Sequence, residues 1–90
     1  MSSIPELTEE TSYELVMRAL ESIGGPQNVY RNPRMAYAFN SVRNMEVDGY
    51  KIEIRYGEIS TPAIATVQGW VYEILDQHIE LLMKPLKRKS

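Results

Sequence analysis

The chain has 90 residues, 43% of them apolar and 24% charged, with no cysteine and a formal net charge of −2. That length suits one domain, because two would each be too small to hold a core without disulfides or metal, and the apolar content argues against disorder. Without cysteine there is no disulfide framework, thiolate metal site or cysteine nucleophile, which fits a reducing, cytoplasmic setting.

Residues 1–7 and 86–90 are expected to fray. Thr11-Ser12-Tyr13-Glu14 has the spacing of a capping box, and Thr8 offers an alternative helix start one turn earlier. Leu15, Val16, Ala19, Leu20 and Ile23 then recur at helical spacing and form one apolar stripe. Gly24-Gly25-Pro26 stops this helix, since glycine accepts the left-handed cap and proline cannot continue the turn. Asn32-Pro33 has the form of an N-cap followed by N1 of a second helix, on which Met35, Ala36, Phe39 and Val42 share a face. Met35, Tyr37 and Phe39 also alternate with alanines, so an extended reading of residues 34–42 stays open.

Asp48-Gly49 is the clearest local signal in the chain. Both residues tolerate the positive φ of a type I′ turn, and folding the chain back across them pairs Val47 with Tyr50, Glu46 with Lys51, Met45 with Ile52 and Asn44 with Glu53. Apolar meets apolar and acid meets base, which a register slip of one residue would destroy. Tyr50, Ile52, Ile54 and Tyr56 continue with period two, giving a strand with one dry face. Ser60 or Thr61 before Pro62 repeats the N-cap logic, and Ile64, Val67, Val71, Ile74, His78 and Leu81 follow three or four apart. The spacing predicts a long helix from Pro62 to about Met83, with Gly69 inside it at a cost of about 1 kcal/mol. The alternative makes residues 63–68 a third strand and starts the helix near Trp70. The expected fold is thus a small single α+β domain ordered α-α-β-β-α, an antiparallel hairpin packed on helices with a long C-terminal helix.

No motif in the sequence assembles a catalytic, cofactor or metal site. His78 is the single histidine, and on a helix no carboxylate lies four residues to either side to orient it, so it reads as a packing residue. Asp76, His78 and Glu80 would diverge on that helix instead of converging on an ion. Glu14 and Glu21 share a wet face, and Gly24-Gly25 lacks the lysine and serine or threonine of a phosphate loop. No small-molecule ligand is indicated, and neither a secretory nor a membrane-spanning segment is expected.

Partners are more informative. The charge is segmented, with five acids and one base in residues 1–25 and four bases and no acid in residues 83–90. The basic tail, Lys87, Arg88 and Lys89 included, and the interleaving of Tyr30, Tyr37 and Tyr56 with Arg31, Arg34 and Arg55 suit a nucleic-acid surface. Against it stand the acidic balance and a connection of about eight residues between the first two helices, longer than a helix-turn-helix motif has. The leading expectation is a non-enzymatic binding or regulatory module acting through protein contacts, as a homodimer or with another partner. On the long helix Val71, Ile74, Leu75, His78 and Leu82 would form the core stripe, leaving Tyr72, Ile79 and Met83 as a second stripe for the interface. The alternative is a nucleic-acid-associated regulator, and a small enzyme comes third.

Overall fold

The computed structural model describes residues 6–37 and 41–85. Helix α1 (Glu9–Glu21) leads through two single-turn helices, α2 (Gln27–Tyr30) and α3 (Pro33–Ala36), into five strands: β1 (Val42–Val47), β2 (Tyr50–Arg55), β3 (Ala63–Val67), β4 (Trp70–Ile74) and β5 (Ile79–Met83). All neighbours pair antiparallel in chain order, so the sheet is a five-stranded meander. This overturns the α-α-β-β-α expectation: the long C-terminal helix does not exist, and its residues form β3, β4 and β5.

The first helix follows its stripe, since Leu15, Val16, Ala19 and Leu20 are all buried. Its start is the earlier of the two candidates. Thr8 is the N-cap, its hydroxyl accepting from the Thr11 amide at 3.2 Å while the Thr11 hydroxyl accepts from the Thr8 amide at 2.8 Å. Leu7, expected to fray, packs against the core. At the other end the Gly25 N–H donates to the Leu20 carbonyl at 2.8 Å. Asn32 caps α3 as its sequence implies, accepting from the Met35 amide, but that helix lasts only four residues. The remainder of the expected second helix is β1 from Val42 onward, with residues 38–40 outside the described residues.

The β1–β2 hairpin has the register that the sequence implies, Val47 opposite Tyr50 through Asn44 opposite Glu53. Asp48 and Gly49 have φ of 53° and 84°. A Cβ added at Gly49 would meet no other atom within 4 Å, so the position is constrained by backbone conformation alone. Gly49→Val is therefore expected to cost about 1–3 kcal/mol through strain at positive φ, lowering the thermal midpoint by roughly 4–8 °C per kcal/mol in a domain of this size. An unchanged midpoint would contradict the turn.

A second turn of the same kind replaces the expected helix. Gln68 and Gly69 have φ of 52° and 87°, and Val67 faces Trp70 across them. Ala63, Ala65 and Val67 alternate with Ile64 and Thr66, and Trp70, Tyr72 and Ile74 alternate with Val71 and Glu73, so period two runs out from the turn on both sides. The two periods coexist because some outward positions of this sheet, Ile64 and Val71, are apolar as well. The helical reading counted residues from both faces.

The core lies between α1 and one face of the sheet. Ile52, Ile54, Ala63, Ala65, Val67, Tyr72 and Ile74 face it, and β3 presents alanine at two of its three core positions, which lets the helix approach closely. Tyr72 is 1% exposed, and its hydroxyl lies 2.7 Å from Ser12 Oγ and donates to the Glu9 carbonyl at 3.0 Å. Burial raises the pKa of this phenol above its ordinary value, the Ser12 hydrogen bond opposing the rise. The contact joins the first turn of α1 to the fourth strand.

Candidate functional site

The opposite face of the sheet is covered by no described element. Two rows of outward side chains cross it. One runs Val42, Arg55, Ile64, Glu73, Glu80 from β1 to β5, and the other Asn44, Glu53, Thr66, Val71, Met83. In β5 the register steps from Leu81 opposite Tyr72 to Met83 opposite Val71, so Leu82 is an extra residue in a bulge. Leu82 is 52% exposed and Met83 61%. Together with Ile64 and Val71 they put apolar surface on the β3–β5 side, while the β1–β2 side carries Glu46, Lys51, Glu53 and Arg55.

The first row has a sense of direction. Arg55 and Glu73 flank Ile64 on either side, positive, apolar, negative. Glu73 is also directly opposite Glu80 on β5, and like charges in that position repel. Among the described residues the one partner of Glu80 is His78, whose Nε2 lies 3.4 Å from its carboxylate with both side chains exposed. The two residues meet because a strand, unlike the expected helix, sets i and i+2 on one face. Among the described residues no group of three His, Asp or Glu is placed to hold a metal ion, and no helix is long and apolar enough to cross a membrane.

The residues singled out from sequence scatter. Tyr72 and Ile79, expected on an interface stripe, belong to the core at 1% and 4% exposure, and only Met83 of the three faces solvent. Their grouping depended on a helix that is absent, because in strands Tyr72 and Ile79 both point inward. Arg31 stacks its guanidinium 5.2 Å from the Tyr30 ring, beside a groove that Glu58 also lines. Glu58 accepts a hydrogen bond from Tyr37, and that bond and its negative charge raise the Tyr37 pKa. Arg34 lines a separate cleft near the end of α1, and Arg55 stands on the outer sheet face. The three arginines therefore build no common basic surface, and Lys87, Arg88 and Lys89 lie outside the described residues. Sequence reasoning missed Ile64 and Glu73 as surface residues and Arg43 as the companion of Arg34. No protein-family model, curated protein or solved structure matches this chain.

Proposed function

We propose that the protein is a non-enzymatic binding module that works through protein contacts and pairs with a second copy of itself through the open face of its sheet. The observation that carries this reading is the row Arg55, Ile64, Glu73. A two-fold axis along β3 through Ile64 sets Ile64 against its own counterpart and Arg55 of each copy against Glu73 of the other. The same surface thus recognises itself, as a two-fold interface requires. Arg55 would also offset the repulsion between Glu73 and Glu80, which the isolated sheet leaves standing. Aligned sheets packing face to face are an ordinary way to bury apolar side chains such as Ile64, Val71 and Leu82.

Five strands about 4.8 Å apart give a face roughly 19 Å across, at the small end of specific interfaces. The pair is accordingly expected to dissociate on dilution. The absence of cysteine supports a cytoplasmic setting for it.

Charge reversal tests the geometry. Arg55→Glu and Glu73→Arg each place like charges across the axis and are expected to give monomers by light scattering at concentrations where the natural protein is dimeric. Combining them restores the opposition and with it the dimer. A natural protein that stays monomeric at high concentration, or single variants that stay dimeric, would reject the arrangement.

A further inference from the structure

We infer that the cleft holding Arg34 and Arg43 binds a phosphorylated small molecule, with the phosphate between the two guanidinium groups. The cleft lies where the end of α1, the α2–α3 segment and the β1–β2 edge meet, and has a volume of about 570 Å³, within the range of small-molecule sites. It belongs to the helix-bearing side of the sheet, away from the outer face carrying Arg55, Ile64 and Glu73.

Arg43 is the informative residue. Across the sheet its row reads Arg43, Ile54, Ala65, Tyr72, Leu81, so an arginine occupies an inward position where every other member is apolar. An inward charge on an edge strand also discourages edge-to-edge pairing. That accounts for Arg43 but not for Arg34, which reaches the same cleft from α3. Among the described residues neither arginine has an ion pair, and no carboxylate lines the cleft. Tyr56, 4% exposed, lines it too. Its hydroxyl makes no hydrogen bond to a described residue.

The two asparagines of the remaining wall have their side-chain amides engaged with backbone carbonyls. The Asn28 side-chain amide donates to the Ile23 carbonyl at 2.7 Å, and the Asn32 amide to the Asn28 carbonyl at 2.7 Å. The Ile23 carbonyl just past α1 and the Asn28 carbonyl of α2 are thereby occupied, which limits their repulsion of an anion. Two planar forks and a phenol match a tetrahedral dianion, whose oxygens can be shared between both guanidiniums, better than a single carboxylate, which one fork satisfies. Ile23 and Met35 add an apolar surface for an organic body attached to the phosphate.

Amide chemical-shift titrations at matched ionic strength test this, with phenyl phosphate, inorganic phosphate and benzoate as probes. Phenyl phosphate is expected to saturate, to shift the amides of Ser22, Arg34, Arg43 and Tyr56, and to bind at least tenfold tighter than either other probe. Arg34→Gln and Arg43→Gln should each weaken it at least tenfold with the spectrum otherwise native, and Arg55→Gln should leave it unchanged. The Arg55→Glu variant should bind as the natural protein does, so loss of pairing and loss of this site are separate results. Should Arg43→Gln not fold, Arg34→Gln on the exposed turn decides the matter. Linear shifts without saturation, equal affinity for the three probes, shifts centred elsewhere, or binding that survives Arg34→Gln would overturn the proposal.

Discussion

Ile79→Asp is expected to abolish folding, while Met83→Asp four residues later is expected to be nearly silent. Ile79 is 4% exposed, on the core face of β5 directly opposite the fully buried Ile74. Replacing it removes a buried aliphatic side chain, worth about 2–5 kcal/mol in large-to-small series, and puts a carboxylate into the apolar core cluster. A 90-residue domain holds about 5–13 kcal/mol in total, so a loss on the order of 4 kcal/mol or more takes most of it. Met83 lies beyond the bulge and is 61% exposed, and surface changes of that kind stay within about 0.5 kcal/mol. Circular dichroism melts of both variants provide the check. A cooperative, native-like transition in Ile79→Asp would mean that β5 does not close the core. The helical reading of the sequence expects the reverse for Ile79, a folded protein with a damaged interface, so one variant separates the two architectures.

Gly57→Ala should be nearly as damaging, although it adds a single methyl group. A Cβ at Gly57 would lie 2.5 Å from the Tyr30 carbonyl oxygen and 2.8 Å from the Ala63 nitrogen. Both are backbone atoms and neither can swing aside. The close approach exists because the Gly57 N–H donates to the Val29 carbonyl at 3.0 Å and the Gly57 carbonyl accepts from the Asn32 N–H at 2.9 Å. These two bonds fasten the α2–α3 segment to the sheet. Overpacking against fixed neighbours costs about 1–3 kcal/mol and sometimes more, and losing the two hydrogen bonds adds about 1 kcal/mol each. A midpoint lowered by 10 °C or more is the expected outcome, at roughly 4–8 °C per kcal/mol. Because the same segment carries Arg34, a Gly57→Ala protein that still folds should also lose the phenyl phosphate shifts. Wild-type stability in that variant would show that the segment is not clamped there.

How far the sequence could be read depended on whether local chemistry pointed one way. Asp48-Gly49 was legible because turn residues and cross-strand pairing agreed, and Asn32-Pro33 because capping has a specific chemical signature. Gln68-Gly69 makes an equivalent turn, yet glutamine is a weak turn signal, and Ile64, Val71 and Leu82 on the outer face supplied a helix-like spacing that competed with the alternation of Ala63, Ala65 and Val67. Gly69, counted as a cost inside a helix, was the residue that marked the turn. The cleft was harder still. Extending the hairpin register by one pair sets Arg43 opposite Ile54, an arginine at an apolar position, and that was the available clue. Its meeting with Arg34 and Tyr56 depends on how the α2–α3 segment docks, which no periodicity encodes.

The order of assembly follows from the meander. Each strand pairs with its neighbour in the chain, so the ladder grows by short loop closures. Helix α1 has a different schedule. Its Ser12 meets Tyr72 across 60 residues of sequence, and the helix buries its stripe against a sheet that emerges from the ribosome after it. Until β1 to β3 have appeared, α1 is an amphipathic helix with its apolar side uncovered, and the growing chain depends on whatever shields that side. The vulnerable interval of this helix is therefore its synthesis, and it lasts until the third strand has joined the sheet.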